Sequence, residues 1–229
     1  MASNPAHSDI SPDADQWTRL VEIHNHAKSV FLCAEEFDPE FLEFVQPVME
    51  LRNGFEHIIR AKAAELGLNG ERDAKLPGYI PQSFDKAIGH EYRAFFDAAD
   101  WFSVCIRDRI TKTLKHYSHE CITAVLPVYY PKLRPRIDQT CREIATIRGD
   151  KDIAKGKDLL AEVAKYRAAI DELLDIYEQI ENSIPALVDW KRKSRWAAIK
   201  AWVATGFIGG ILTTVITTWI LIKLGLLKP

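Results

Sequence analysis

At 229 residues, 47% apolar and 27% charged, the chain can bury a sizeable core, which excludes wholesale disorder. The net charge of −2 says little, because the charge is unevenly placed along the chain. The four cysteines, Cys33, Cys105, Cys121 and Cys141, lie far apart and form no C-x-x-C pair, which excludes zinc-finger and thioredoxin spacings. Each falls in an apolar stretch, the pattern of buried, reduced thiols in a cytosolic body.

Residues 1–13 are polar, lack an apolar signal region and read as a disordered tail. A first helix is expected over Ala14–Glu36, carrying Trp17, Leu20, Val21, Ala27, Val30 and Phe31. Asp38-Pro39 is a cap-then-proline start for a second helix running to Leu66, with a bend at Pro47 and a stop at Gly67. Residues 67–83 are turn-rich and read as a loop. A third helix, Phe84 to about Tyr117, sets Ile88, Tyr92, Phe95, Ala99, Phe102, Ile106 and Ile110 on one face. Three prolines then break the chain, and a fourth helix resumes near Pro135 and reaches Arg148. No alternating strand pattern and no repeat is visible. The expectation is an all-α chain with a cytosolic helical bundle over 14–150.

Residues 151–190 read as a coiled-coil stalk. Val163, Ile170, Tyr177 and Ile184 form one heptad set, and Leu159, Tyr166, Leu173, Ile180 and Leu187 the other. Leu160, Leu174 and Ile176 widen the apolar face. This favours an oligomer of more than two strands, or docking of the helix on its own body. Pro185 should kink the helix or restart it, with Ser183 as the cap. Residues 191–200 form a basic juxtamembrane segment that should attract anionic lipids.

Residues 201–222 carry no charge and, as a helix, would extend about 33 Å, one hydrocarbon core. Trp202 and Trp219 sit near the ends, where indoles favour the headgroup region. Lys191, Arg192, Lys193, Arg195 and Lys200 precede this single transmembrane helix, and only Lys223 and Lys228 follow it. The positive-inside rule therefore puts the body in the cytoplasm and the short tail 223–229 outside. Within the span, Gly206 and Gly210 form a G-x-x-x-G, and Thr213, Thr214, Thr217 and Thr218 continue the stripe. Such a face lets helices approach closely. In a ring of helices it would line a pore with hydroxyls. The alternative is that the threonines bond back to their own helix.

Two constellations carry candidate chemistry. The first is Arg52-Asn53-x-x-x-His57, which resembles the R-x4-6-H motif of HEPN-family RNases. The resemblance implies His57 as a base on an RNA 2′-hydroxyl and Arg52 on phosphate. The alternative places Arg52 and His57 in a polar network with His90, Arg93, Asp97 and Asp100 of the third helix. The second constellation is Tyr129, Tyr130, Lys132, Arg134, Arg136, Arg142, Arg148 and Lys151. Arginine forks suit phosphate and aromatic faces suit bases, so this cluster fits a nucleotide or single-stranded nucleic acid. The alternative is a solvated basic face. No metal motif, phosphate-cradling loop or nucleophile elbow is present, so no cofactor is expected.

The segments YRAFFDAADW (Tyr92–Trp101), PVYYPKLRPRID (Pro127–Asp138) and IATIRGDKDI (Ile144–Ile153), followed by a coil and one span, are together similar to membrane effectors of bacterial anti-phage defence. Among such effectors they resemble the HalA component of Hailong systems. The resemblance implies a multimeric channel in the inner (cytoplasmic) membrane, held silent by a nucleic-acid signal and opened on infection. The basic tyrosine cluster would then be the sensor and the Gly/Thr stripe the pore. Its partners would be the bilayer, further copies of the chain, the ligand and a protein encoded in the same operon.

Overall fold

The computed structural model describes residues 14–37, 45–68, 76–150, 158–224 and 226. Expectations for the tail 1–13, the Asp38-Pro39 start and Lys151 lie outside these residues. Among the described residues the chain is all-helical, with no strand. The helices are α1 (Ala14–Phe37), α2 (Val45–Glu65), α3 (Tyr79–Leu114), α4 (His119–Val125), α5 (Arg134–Asp150) and α6 (Leu159–Lys223).

The body is built around α3. Its apolar residues lie on more than the one face expected: Ala87, Phe96 and Ala98 are buried along with Phe95, Phe102 and Ile106. A helix buried on several sides must be central, and α1, α2 and α6 all pack on it. The α1 stripe Leu20, Ile23, Ala27, Val30 and Ala34 is buried at helical spacing, whereas Val21 stays half exposed. Trp17 is also partly exposed, but its ring meets Phe84 edge-on at 4.6 Å. The buried face of α2 is small: Pro47, Gly54 and Ala61 recur every two turns. A β-carbon on Gly54 would lie 3.3 Å from the His90 β-carbon and 3.4 Å from the Ala87 carbonyl oxygen. Gly54 therefore sets how closely α2 approaches α3.

Several local expectations are corrected. The described part of α2 starts at Val45 and stays α-helical through Pro47, which is buried. The expected loop 67–83 gives way to helix at Tyr79, because Gly78 takes the left-handed conformation (φ 77°) and Pro81 occupies the first turn. The proline-rich stretch is not simply broken. It forms α4, capped by Ser118 Oγ on the Cys121 N–H at 3.3 Å, then a π-turn over Tyr129–Leu133. Of the cysteines only Cys121 is fully buried, and none of the four is in a disulfide.

The helix α6 changes the architecture most. Asp158 caps it, accepting the Leu160 and Ala161 N–H groups at 3.1 and 3.3 Å. It then runs unbroken through Pro185. Ser183 is not a cap: its hydroxyl donates back to the Ile180 carbonyl at 2.7 Å. Val163, Tyr166, Ile170, Leu173, Ile180 and Leu187 are fully buried within the chain's own body. The heptad seam is therefore occupied by α1, α3, α4 and α5 of the same chain. Beyond Trp190 and Lys191 the helix leaves the body. Its distal half holds an 18-residue window of mean hydropathy 1.8, none of it buried, and this segment is long and apolar enough to cross a membrane.

Candidate ligand cleft and the sequence-predicted sites

The last turns of α3 present Arg107, Thr111 and Lys115 at successive helical turns on one face. The loop after α3 adds Tyr117, α4 adds His119, the π-turn adds Tyr129 and Tyr130, and α5 adds Arg134, Asp138 and Cys141. Together they enclose a cleft of about 650 Å³ whose apolar lining includes Ile110, Leu114 and Ile122. The π-turn fits its prolines: the Leu133 N–H reaches the Val128 carbonyl at 3.1 Å, a five-residue step. This register carries the chain past Pro131 and directly into Pro135 in the first turn of α5.

The cleft is electropositive. Arg107, Lys115 and Arg134 face one lining carboxylate, Asp138. Arg107 Nε donates to the Ser103 carbonyl at 3.0 Å, which holds its guanidinium in place beside Cys141 Sγ at 3.5 Å. Tyr130 Oη and His119 Nδ1 are 2.6 Å apart, and the Tyr129 and Tyr130 rings meet edge-on at 5.0 Å. Burial pushes the Tyr129 hydroxyl pKa up, so it stays a protonated donor. Positioned guanidinium and ammonium groups beside two aromatic rings can bind phosphate and stack a base.

Of the sequence-predicted cluster, the cleft takes Tyr129, Tyr130 and Arg134. Arg136 instead pairs with Glu172 on α6, and Arg148 Nε lies 3.1 Å from Asp100. Lys132 and Arg142 are exposed and do not line it. One helix cannot aim residues two positions apart at the same pocket, which is why α5 divides the cluster. Arg107, Lys115 and His119 were missed. The one sequence signal for them was the four-residue spacing of Arg107, Thr111 and Lys115.

Arg52 and His57 do not share a cleft. Five positions along a helix is about 140° of rotation. Arg52 lies on Met49 Sδ at 3.9 Å and lines a groove of about 620 Å³ between α1 and α2, with Val21, Val48, Leu51 and Phe55. Glu91 lies in this groove, its carboxylate 3.2 Å from His24 Nδ1, and burial raises its pKa against that contact. Asn53 is half-buried. His57 turns the other way and stacks on His90, with centroids 5.3 Å apart. His90 Nδ1 and Arg93 Nε both meet Glu50, at 2.7 and 2.8 Å. His57 therefore joins an α2–α3 polar network, and Arg52 does not.

That network sets a pH dependence. Burial, then the charges of His90, Lys86 and Arg60, hold His57 below its ordinary pKa of 6.5. Burial pushes Glu50 up, but hydrogen bonds from His90 and Arg93 outweigh it and leave its pKa below the ordinary 4.5. Both groups prefer their deprotonated forms in the folded protein. Stability is therefore full above the unfolded pKa values and falls as pH drops through the folded ones. We expect the melting temperature to decline as pH falls from 6.5. His57→Phe should remove the upper part of that decline and Glu50→Gln the part below 4.5, measured by thermal melts across pH.

In the distal half of α6, Gly206, Phe207, Gly210, Ile211, Thr214 and Val215 border a shallow groove of about 410 Å³. The hydroxyls of Thr213 and Thr214 donate to the Gly209 and Gly210 carbonyls, each at 2.8 Å. Thr217 and Thr218 follow on the same exposed helix. A β-carbon on Gly206, Gly209 or Gly210 would meet nothing within 4 Å, so this face is open.

Comparison with known protein families, curated proteins and solved structures finds no match to this chain.

Proposed function

We propose that the chain is a membrane-anchored effector that assembles through its span and makes the cytoplasmic membrane leak when a phosphate-bearing ligand, a nucleotide or single-stranded nucleic acid, changes occupancy of the cleft. The observation that carries this reading is the unbroken helix α6. Its first half is core and its second half is bare and apolar, so any change in the body's packing is transmitted to the span without a flexible joint. Tyr117 lines the cleft and also the cavity beside residues 188–199, and Lys191 Nζ donates to the neighbouring His116 carbonyl at 2.9 Å. The cleft is thus mechanically close to the start of the span.

The open Gly206/Gly210 face supplies the surface for self-association, since the heptad seam is occupied within the chain. The resemblance of these sequence segments to anti-phage membrane effectors motivates this role. In bacterial cells that express the chain in excess of its ligand, leaving clefts empty, membrane potential should collapse. Gly206→Leu and Gly210→Leu should leave insertion intact and prevent the collapse. Arg134→Ala and Lys115→Ala should weaken binding of a labelled nucleotide or oligonucleotide about tenfold, roughly one charge-assisted phosphate contact each. Cells that keep their potential at full expression of the unaltered chain would overturn the reading.

A further inference from the structure

Where α6 leaves the body, it forms a second cavity, of about 500 Å³, with the loop that follows α3. Its walls are Tyr117 from that loop and, from α6, Val188, Lys191, Arg192, Arg195, Trp196 and Ile199. The charges here are not equivalent. Lys191 is held in place: its ammonium donates to the His116 carbonyl and lies 5.5 Å from the centroid of the Tyr117 ring. Arg192 and Lys193 both pair with Asp189, at 2.5 and 2.7 Å. Arg195, by contrast, has no carboxylate partner among the described residues. Trp196 beside it is 59% exposed, a large indole with little protein over it.

Position gives the cavity its meaning. Arg195 precedes the uncharged stretch 201–222 by about 9 Å of helix, at the outer edge of a headgroup layer roughly 5–8 Å deep. Indole and guanidinium groups both favour that layer. We propose that this cavity binds the phosphate headgroup of an anionic phospholipid, with Arg195 and Lys191 on the phosphate and Trp196 and Ile199 against the glycerol and upper acyl chain. The inference rests on the reading of residues 201–222 as a membrane span. It adds a defined site, one lipid seated between α6 and the α3–α4 loop, to the diffuse attraction of a basic segment. Because Tyr117 also lines the ligand cleft, such a lipid would brace the same loop that the cleft uses.

The test uses the full chain reconstituted in phosphatidylcholine vesicles, with and without added phosphatidylglycerol. Flotation on pure phosphatidylcholine reads the anchor alone. Native mass spectrometry of protein extracted from the mixed vesicles reads retained lipid. The expected result is flotation in both vesicle types and retention of phosphatidylglycerol in preference to phosphatidylcholine. Arg195→Gln should cut that preference about fivefold, the effect of roughly one interfacial charge, while still floating. Lys193→Gln removes an equal charge that faces Asp189 rather than the cavity, and should keep the preference. Equal loss in both variants would mean non-specific attraction and overturn the site, as would an unchanged preference in Arg195→Gln. Failure to float on phosphatidylcholine would overturn the anchor itself, and the site with it.

Discussion

Leu173→Ala should destabilise the body by about 2–5 kcal/mol, the cost of removing a fully buried leucine and leaving a cavity. Against a typical domain stability of roughly 5–15 kcal/mol this is a large fraction. Leu173 lies midway along the buried stripe of α6, between Ile170 and Ile176. Measured by urea unfolding in detergent, the midpoint should fall in the variant. With Gly206→Leu added to remove association through the span, it should also be independent of protein concentration in both forms, because the contact is made inside one chain. An intermolecular seam behaves differently: its midpoint rises with concentration by mass action. A concentration-dependent midpoint, or a silent Leu173→Ala, would defeat the docked-helix architecture.

The second large effect is expected at Asp100. Its carboxylate accepts the Tyr166 hydroxyl, 2.5 Å away, and meets Arg148 Nε at 3.1 Å. This joins α3, α5 and α6 at one point. Tyr166 is fully buried, and burial followed by the Asp100 contact pushes its hydroxyl pKa far up. The hydroxyl therefore remains a donor that needs an acceptor. Asp100→Ala removes that acceptor, leaving only the Ser103 hydroxyl beside it, and should cost about 2–4 kcal/mol. The Arg148 pair contributes little of this, because that side chain is 45% exposed. Asp100→Asn keeps an acceptor for Tyr166 and loses only the charge, so thermal melts should place it much nearer the unaltered protein. Equal losses in the two variants would mean that the ion pair, rather than the buried hydroxyl, carries the stability.

These two experiments bear on how a helical chain reaches its span. If α6 is locked into the body along its proximal half, a weakened seam should also weaken the proposed coupling between cleft and membrane. The same substitutions can therefore be read for leakage as well as for stability.

Several features were fixed by properties local to the chain. Hydrocarbon solvation depends on a stretch's own composition, so residues 201–222 announced an apolar helix, and the structure leaves that helix bare. The 3.6-residue periodicity of α1 and α3 was equally legible, and Leu20, Val30, Phe95 and Phe102 are buried as their spacing required. Helical rotation alone also separates Arg52 from His57. Other features depend on what lies far away in sequence. A heptad stripe reads the same whether it meets another chain or its own body, and only the packed fold shows Ile170 and Leu173 against that body. Likewise, Arg107, Lys115 and His119 meet Tyr129 and Arg134 because α3, α4 and α5 converge. No short-range pattern encodes that convergence, since periodicity specifies which face of a helix is buried and leaves open what buries it.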